Sequence, residues 1–347
     1  MMVPTIYGSD LQVAIVSVRS KFDKTQDVIV QLQYSNTGNE TISIYNWYLP
    51  SNELNDPLFK VTCNDVLVDY RGPLMKRRQS TVQDMTPLAP GQTKVIQARL
   101  SSVYDMTKTG TYSIQYDMPT ERVVFKHART FDSTLVRAIT KRQSGLQSNN
   151  IQLIIEGRPN IQHEQNNIMN VVRRSATLSY VSCSITQKSQ IMNAISWALR
   201  YANNSFIYLN KTKPSGTNRY KTWFGTFMLA NWNKVKGQYK NITNVFNSKT
   251  MTFDCGCTDT GTYAYVYRNQ PYIIHLCSLF WSAPMTGTDS KAGTLIHEMS
   301  HFQTVAGTYD YAYSKDGCTS LASSSPSKSI MNADSHEYFA ENTPVLL

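Results

Sequence analysis

The hydrophobic period of this chain changes once, near residue 157, and that change limits what the chain can fold into. Before it, apolar residues recur at every second position. In "DVIVQLQY", Val28, Val30, Leu32 and Tyr34 share one face, and "SNTGN" follows as a turn. "TISIYNWYLP", "FKVTCNDVLVDY", "TKVIQARL", "TYSIQYDM", "RVVFKH" and "NIQLIIEG" continue the pattern, with turn-rich connectors such as "LAPGQT" between several of them. Short strands punctuated this way predict an all-β antiparallel sandwich of immunoglobulin-like type over residues 1–157. "GTYSIQY", Gly110 to Tyr116, is compatible with a tyrosine corner.

Residues 158–178 lose the alternation. "GRPNIQHEQNN" and "VVRRSATLSY" are polar, and they predict a linker open to proteolytic processing. From 179 to 347 the texture is mixed. "SQIMNAISWALRYANNSFIYL" places Ile191, Ile195, Leu199 and Ala202 at helical spacing, whereas "SKTMTFDC", "TYAYVY" and "YIIHLC" read as strands. A second, α+β domain is expected there. The chain's 347 residues suffice for a core in each domain.

The net charge is +10, but Lys and Arg are dispersed and the densest run is "KRR" at Lys76 to Arg78. That dispersion predicts a basic surface and no nucleic-acid partner. No apolar run approaches the roughly 18 residues of a membrane span, so none is expected. Of six cysteines, four fall between Cys183 and Cys277. Cys255 and Cys257 form C-x-C and cannot easily pair with each other, but each can pair outward, with Cys183 and Cys277. Two disulfides and an oxidising, extracellular setting follow. "MMVPTIYGSD" holds no signal-peptide core, as in a secreted chain whose signal has been trimmed.

"GTLIHEMSHFQTVAGTYDYAY", Gly293 to Tyr313, carries the chemistry. Thr288, Asp289 or Ser290 can cap a helix whose buried stripe is Ala292, Leu295, Ile296, Met299 and Phe302, with Gly307 placed to follow its end. On that helix His297 and His301 lie one turn apart, so both imidazoles can meet one ion. H-E-x-x-H is the zinc-peptidase arrangement, with Glu298 able to take a proton from the metal's water. A catalytic zinc takes three protein ligands. The longer H-E-x-x-H-x-x-G-x-x-H pattern fails, because Thr304 and Gly307 stand at its later Gly and His positions. Asp310, presented by a turn at Gly307, is one candidate for the third ligand. Glu337 or Glu341 from a later helix is the other.

H-E-x-x-H followed by G-T-x-D-x-x-Y resembles the aspzincin signature of the deuterolysin-type zinc endopeptidases. "YKTWFG", "TFDCGCTDTGTYAYVY", "LFWSAPMTGTDSKAGTLIHEMSHF" and "MNADSHEYFAEN" look most like the peptidyl-Lys metalloendopeptidases of that group. The resemblance covers about residues 179 to 347 and implies a zincin-like domain there. The first half looks like the β-rich region that precedes the peptidase in longer members. One departure is Ser314, where the family signature often has Gly. The resemblance implies one Zn²⁺ per chain held by His297, His301 and Asp310, with Glu298 as general base. It also implies that Tyr313 stabilises the oxyanion, and that Cys183 pairs with Cys255 and Cys257 with Cys277. Cys63 and Cys318 are left to bridge the halves or stay free.

Asp334 and Glu337, three apart, share a helical face. Read alone they are a solvated acidic turn. The resemblance makes them a pocket for a substrate lysine on the carboxyl side of the scissile bond, and carboxylates suit that long-stemmed point charge. His336 between them is a rival ligand better suited to a structural role. The expected function is a secreted zinc endopeptidase acting on protein or peptide substrates before lysine, made as a two-domain precursor. The β half is then a propeptide or accessory domain able to inhibit the active site, with Lys76 a candidate plug for the acidic pocket. Two alternatives are a non-catalytic binding protein on a peptidase-like scaffold, and a broader peptidase using Glu337 as third ligand.

Overall fold

The computed structural model describes residues 10–17, 19–51, 54–118, 124–126, 145–158 and 177–346. Two compact units divide the chain: Met1–Gly72 with Ser80–Asn167, and Pro73–Gln79 with Ile168–Leu347. The linker and processing region expected at 158–178 lies almost wholly outside the described residues.

The first unit is built on β-strands. Ile29–Asn36 lies between Leu11–Ser17 and Thr93–Arg99, both antiparallel to it, with Leu32 opposite Ile15 and Ile96. Gly110–Met118 lies between Phe59–Cys63 and Ile151–Ile155, and Ile42–Tyr45 between Val124–Lys126 and Met85–Leu88. These pairings are antiparallel; Lys21–Phe22 instead joins the second sheet in parallel, beside Ile154 and Ile155. Alternation puts Val30, Leu32, Tyr34, Tyr112, Ile114 and Tyr116 inside. Tyr34 and Tyr116 meet edge to face with centroids 5.8 Å apart, and Tyr116 donates to the Tyr48 carbonyl at 3.0 Å, so that buried phenol is satisfied. The Tyr112 hydroxyl donates to the Lys108 carbonyl at 2.7 Å, the contact of a tyrosine corner. "FKVTCNDVLVDY" is a hairpin rather than one strand. Asn64 and Asp65 take φ of 48° and 66°, which turns Cys63 back onto Val66.

The second unit wraps helices around a five-stranded sheet. Its strands are β1 (Pro73–Arg77), β2 (Leu178–Val181), β3 (Met251–Asp254), β4 (Thr262–Tyr267) and β5 (Ile273–Leu276), in the order β2-β3-β5-β4-β1. β2, β3 and β5 run parallel, while β4 and β1 are antiparallel to their neighbours. The helices are α1 (Ile185–Lys211), α2 (Asn218–Phe224), α3 (Leu229–Ser248), α4 (Ser278–Ser282), α5 (Lys291–His301), α6 (Ser314–Ser324), α7 (Pro326–Ser329) and α8 (Ala333–Glu341). α1 starts in a capping box between Ser184 and Gln187. Its buried Ala194, Ala198 and Ala202 stand four apart, a flat stripe that lets α3 and α5 pack close. Cys183 is bonded to Cys255 and Cys257 to Cys277, tying the ends of β2, β3 and β5 together. Cys63 and Cys318 are buried and unbridged.

Candidate metal centre and active site

Every residue of α5 is buried. A helix carrying Lys291, Thr294, His297, Glu298, Ser300 and His301 is tolerated inside a core only if those groups meet partners. Its first turn is satisfied from two directions. Ser290 is the N-cap, its hydroxyl accepting from the Gly293 amide at 2.9 Å. Glu341 of α8 accepts from the Ser290 amide at 2.9 Å and the Ser290 hydroxyl at 2.8 Å. Its carboxyl group thus supplies an acceptor to N–H groups at the start of the helix that have no partner within it. Gly293 makes this approach possible, because a Cβ there would run into Glu341 Oε1 and lie 2.8 Å from Glu337 Oε1.

The helix stops at His301, one residue before the apolar stripe ends, because Phe302 is extended with ψ 130°. The Phe302 carbonyl instead collects the amides of Val305, Ala306 and Gly307 in a separate turn, and Gly307 takes φ +65°. Gly307 therefore turns this second loop rather than capping the helix. The chain comes back alongside α5, with the Thr308 amide donating to the Ser300 carbonyl at 3.1 Å. Arg268, just past β4, fastens the same corner by donating to the carbonyls of His301 at 3.3 Å and Gly307 at 3.1 Å.

This return delivers Asp310 to the two imidazoles. His297 Nε2 is 3.1 Å from Asp310 Oδ1, and His301 Nε2 is 3.4 Å from Oδ2. Neither contact has hydrogen-bond alignment, although both nitrogens are buried. The ligand atoms of the three residues lie within 4.8 Å of one another. Two imidazoles and a carboxylate converging on one point form a donor set that suits zinc, which in catalytic sites takes three protein ligands. His301 Nδ1 meets the Thr308 carbonyl at 3.1 Å, which leaves Nε2 as the free lone pair.

Charges around the centre are uneven. Burial pushes the His301 imidazole down to about 4. Burial also acts to lower His297, but Asp310, Asp334 and Glu337 outweigh it and raise that imidazole well above its ordinary value. Burial raises the Glu298 carboxyl to about 8, with His297 opposing.

Beyond His297 lies the acidic pair. Asp334 Oδ1 is 2.7 Å from His297 Nδ1, and Glu337 Oε2 is 3.5 Å from it. Glu337 thus faces the ring nitrogen opposite the one shared with Asp310. His336 points elsewhere, its Nε2 3.0 Å from Gln238 Oε1 and its Nδ1 3.0 Å from the Asn332 carbonyl. Both its nitrogens are occupied, which is a structural role.

Between the acids sits Lys76 of β1, 1% exposed. Its Nζ is 2.6 Å from Glu337 Oε2, 3.1 Å from Asp289 Oδ1 and 3.7 Å from Asp334 Oδ1. The Tyr263 ring lies 5.1 Å from the ammonium and the Tyr338 ring 5.8 Å. Burial acts to lower the lysine, but Glu337, Asp334 and Asp289 hold it well above its ordinary value. Asp289, which the sequence offers only as a cap, is therefore a third wall of the pocket. β1 pairs antiparallel with β4, Lys76 opposite Ala264 and Met75 opposite Tyr265. The carbonyl of Met75, on the bond preceding Lys76, accepts from the Tyr313 hydroxyl at 2.8 Å. After Tyr313, Ser314 takes φ +65°, the region that favours glycine, and its amide donates to Asp334 Oδ2 at 2.9 Å.

Residues 208–341 match the family model described as lysine-specific metallo-endopeptidase. The chain is 41% identical over 325 residues to an extracellular protease of Aeromonas hydrophila, covering 92% of this chain and 89% of the relative. It is 50% identical over 169 residues to a peptidyl-Lys metalloendopeptidase of Pleurotus ostreatus, covering 48% of this chain and 99% of the relative. A solved zinc peptidase from Grifola frondosa matches with 46% identity and a TM-score of 0.46, covering 48% of this chain and all of that one. With the imidazoles of His297 and His301 and the Asp310 carboxylate brought together in the matching region, the chain belongs to the aspzincin family of zinc metalloendopeptidases.

Proposed function

We propose that this protein hydrolyses peptide bonds on the amino side of lysine, with one zinc per chain, and that its own β1 strand holds the active site shut until it is displaced. The observation that carries the reading is the seating of Lys76. A lysine fills the acidic pocket while the carbonyl before it meets Tyr313. This is how a substrate lysine would lie after the scissile bond.

In this reading His297, His301 and Asp310 hold the ion. When bound, zinc supplies Lewis-acid polarisation and eases ionisation of the attacking water. Glu298 takes the proton as the water oxygen adds to the scissile carbonyl carbon. The Tyr313 hydroxyl donates to the oxyanion that forms. Glu298 then returns the proton to the amide nitrogen, the C–N bond breaks, and an N-terminal lysine leaves. Asp334, Glu337 and Asp289 select the lysine. Glu337 is not favoured as the third ligand, since it addresses Nδ1 of His297 while His301 and Asp310 meet on the Nε2 side.

β1 adds to the edge of β4 as an extended peptide would. An external substrate needs the same edge and the same pocket, so the two compete. The strand is continuous with the first unit's sequence on both sides, and that half acts as a propeptide under this reading. Secretion is part of the proposal. The two disulfides suit an oxidising compartment, and the Aeromonas relative is named as extracellular. Among the described residues, no helix is long and apolar enough to cross a membrane.

Mass spectrometry of a digested protein mixture, with and without chelator, tests activity, metal dependence and bond preference together. New N-termini should begin with lysine and vanish on chelation. Cleavage without lysine preference would sink the specificity. The same spectra would reveal any cut between Met75 and Lys76.

A further inference from the structure

We propose that Arg268 is a positioning residue for the metal centre: its guanidinium fork sets the spacing between the helix that carries His297 and His301 and the loop that carries Asp310. The inference rests on those three residues being the zinc ligands.

The ligands come from two pieces of chain. His297 and His301 sit on α5, whereas Asp310 stands in the loop beyond it. A working site needs its groups held to within about 0.5 Å, and a loop alone holds less firmly than a helix. Arg268 comes directly after Tyr267, the last residue of β4, and is buried. Its Nε donates to the His301 carbonyl at 3.3 Å and its Nη2 to the Gly307 carbonyl at 3.1 Å. The first of these is an end-of-helix carbonyl, with no amide inside α5 to meet it. The second belongs to the residue that turns the chain back. One rigid planar group therefore joins the end of the ligand helix to the start of the ligand loop. Its face covers the ring of Tyr309, with the guanidinium carbon 3.9 Å from the centroid, and Tyr309 immediately precedes Asp310. The main chain of Tyr309 is tied as well. Its amide donates to the Met331 carbonyl at 2.9 Å, and its carbonyl accepts from the Ala333 amide at 3.0 Å. Asp310 thus follows a residue clamped between Arg268 and the start of α8. A buried guanidinium is costly unless its N–H groups are bonded, so the structure resists any change in the spacing of the two carbonyls. A cation of any shape would suit the end of a helix. Spanning two carbonyls at fixed separation takes the arginine fork.

Arg268→Lys keeps a charge and a long stem but replaces the fork with a point. Arg268→Met removes the charge too. The test uses full-length wild type and both variants. Each is melted metal-free, then titrated with zinc in competition with a chromophoric chelator, and its visible spectrum is recorded after cobalt substitution. Arg268→Met should bind zinc at least about tenfold more weakly, the low end of the effect of losing a group that orients metal ligands. Arg268→Lys should also bind more weakly, and the cobalt spectra of both should differ from that of wild type. If the methionine variant does not fold, the lysine variant decides alone. A lysine variant equal to wild type in zinc affinity and cobalt spectrum would overturn the inference, whatever its metal-free melting temperature, because the fork would then set nothing at the metal. Failure of wild type itself to bind zinc would instead sink the ligand assignment on which the inference rests.

Discussion

Lys76 and Glu337 stand 2.6 Å apart, both almost fully buried. A buried cation facing several carboxylates stabilises the fold only while all partners remain. Lys76→Met keeps the stem and removes the charge. The full chain should then melt lower, because the acids lose their counter-charge. It should also cleave an X–Lys peptide at least about tenfold faster than the unprocessed parent, one pKa-unit-sized step of about 1.4 kcal/mol in competition for the pocket. Initial rates and melting curves measured on the same preparations check both. A rate unchanged by the substitution would remove β1 as an inhibitor.

Glu298→Gln should leave zinc content unchanged, since His297, His301 and Asp310 are untouched. Loss of the proton acceptor should lower kcat by roughly 10²–10⁴-fold. Metal analysis beside single-turnover kinetics checks it, and equal rates would exclude Glu298 as the base.

Gly293→Ala isolates the packing at the start of α5. Alanine is the better helix former by about 1 kcal/mol. Its methyl, however, would press on the carboxylates of Glu341 and Glu337. The clash should dominate, with a net loss of roughly 1–3 kcal/mol as in other overpacked cores. Urea titration of both proteins gives the sign; a more stable alanine variant would contradict the geometry.

Glu341 predicts a pH dependence. Burial, with Glu337 nearby, raises its carboxyl from an ordinary 4.5 to about 9. Between those values the folded state keeps a proton that the unfolded chain has released. Stability from this group is therefore fully present below 4.5 and is lost as pH rises towards 9. Glu341→Gln cannot release that proton. Between pH 5 and 9 the variant should lose less unfolding free energy than the parent, by more than about 1 kcal/mol. Parallel slopes in denaturant titrations across that range would refute it.

The local parts of the site were readable from the chain. One-turn spacing put His297 and His301 on a single face, and the apolar stripe on the opposite face put the helix against a core. Asp310 and Tyr313 needed the family resemblance, because a carboxylate or phenol in a loop has many duller uses. Other parts left no local trace. Arg268 reaches the carbonyls of His301 and Gly307 only because β4 ends beside that corner. Asp289 and Glu341 acquire their roles when α8 packs on α5. β1 is five residues whose partner strand lies about two hundred positions downstream, and no periodicity in "PLMKR" announces a pairing of that separation. In the first unit, the Asn-Asp turn inside "FKVTCNDVLVDY" was the visible sign of a hairpin that an apolar count runs straight through.

The pairing of β1 with β4 is made through main-chain groups, and it is the Lys76 side chain that enters the acidic pocket. An enzyme that reads its targets this way asks for shape before identity: several residues drawn out straight, with a lysine at one place among them. Lysines wound into helices or folded into tight bends would escape until that part of the victim frays. The rate at which a native protein is cut would then report how often its lysine-bearing segments come undone.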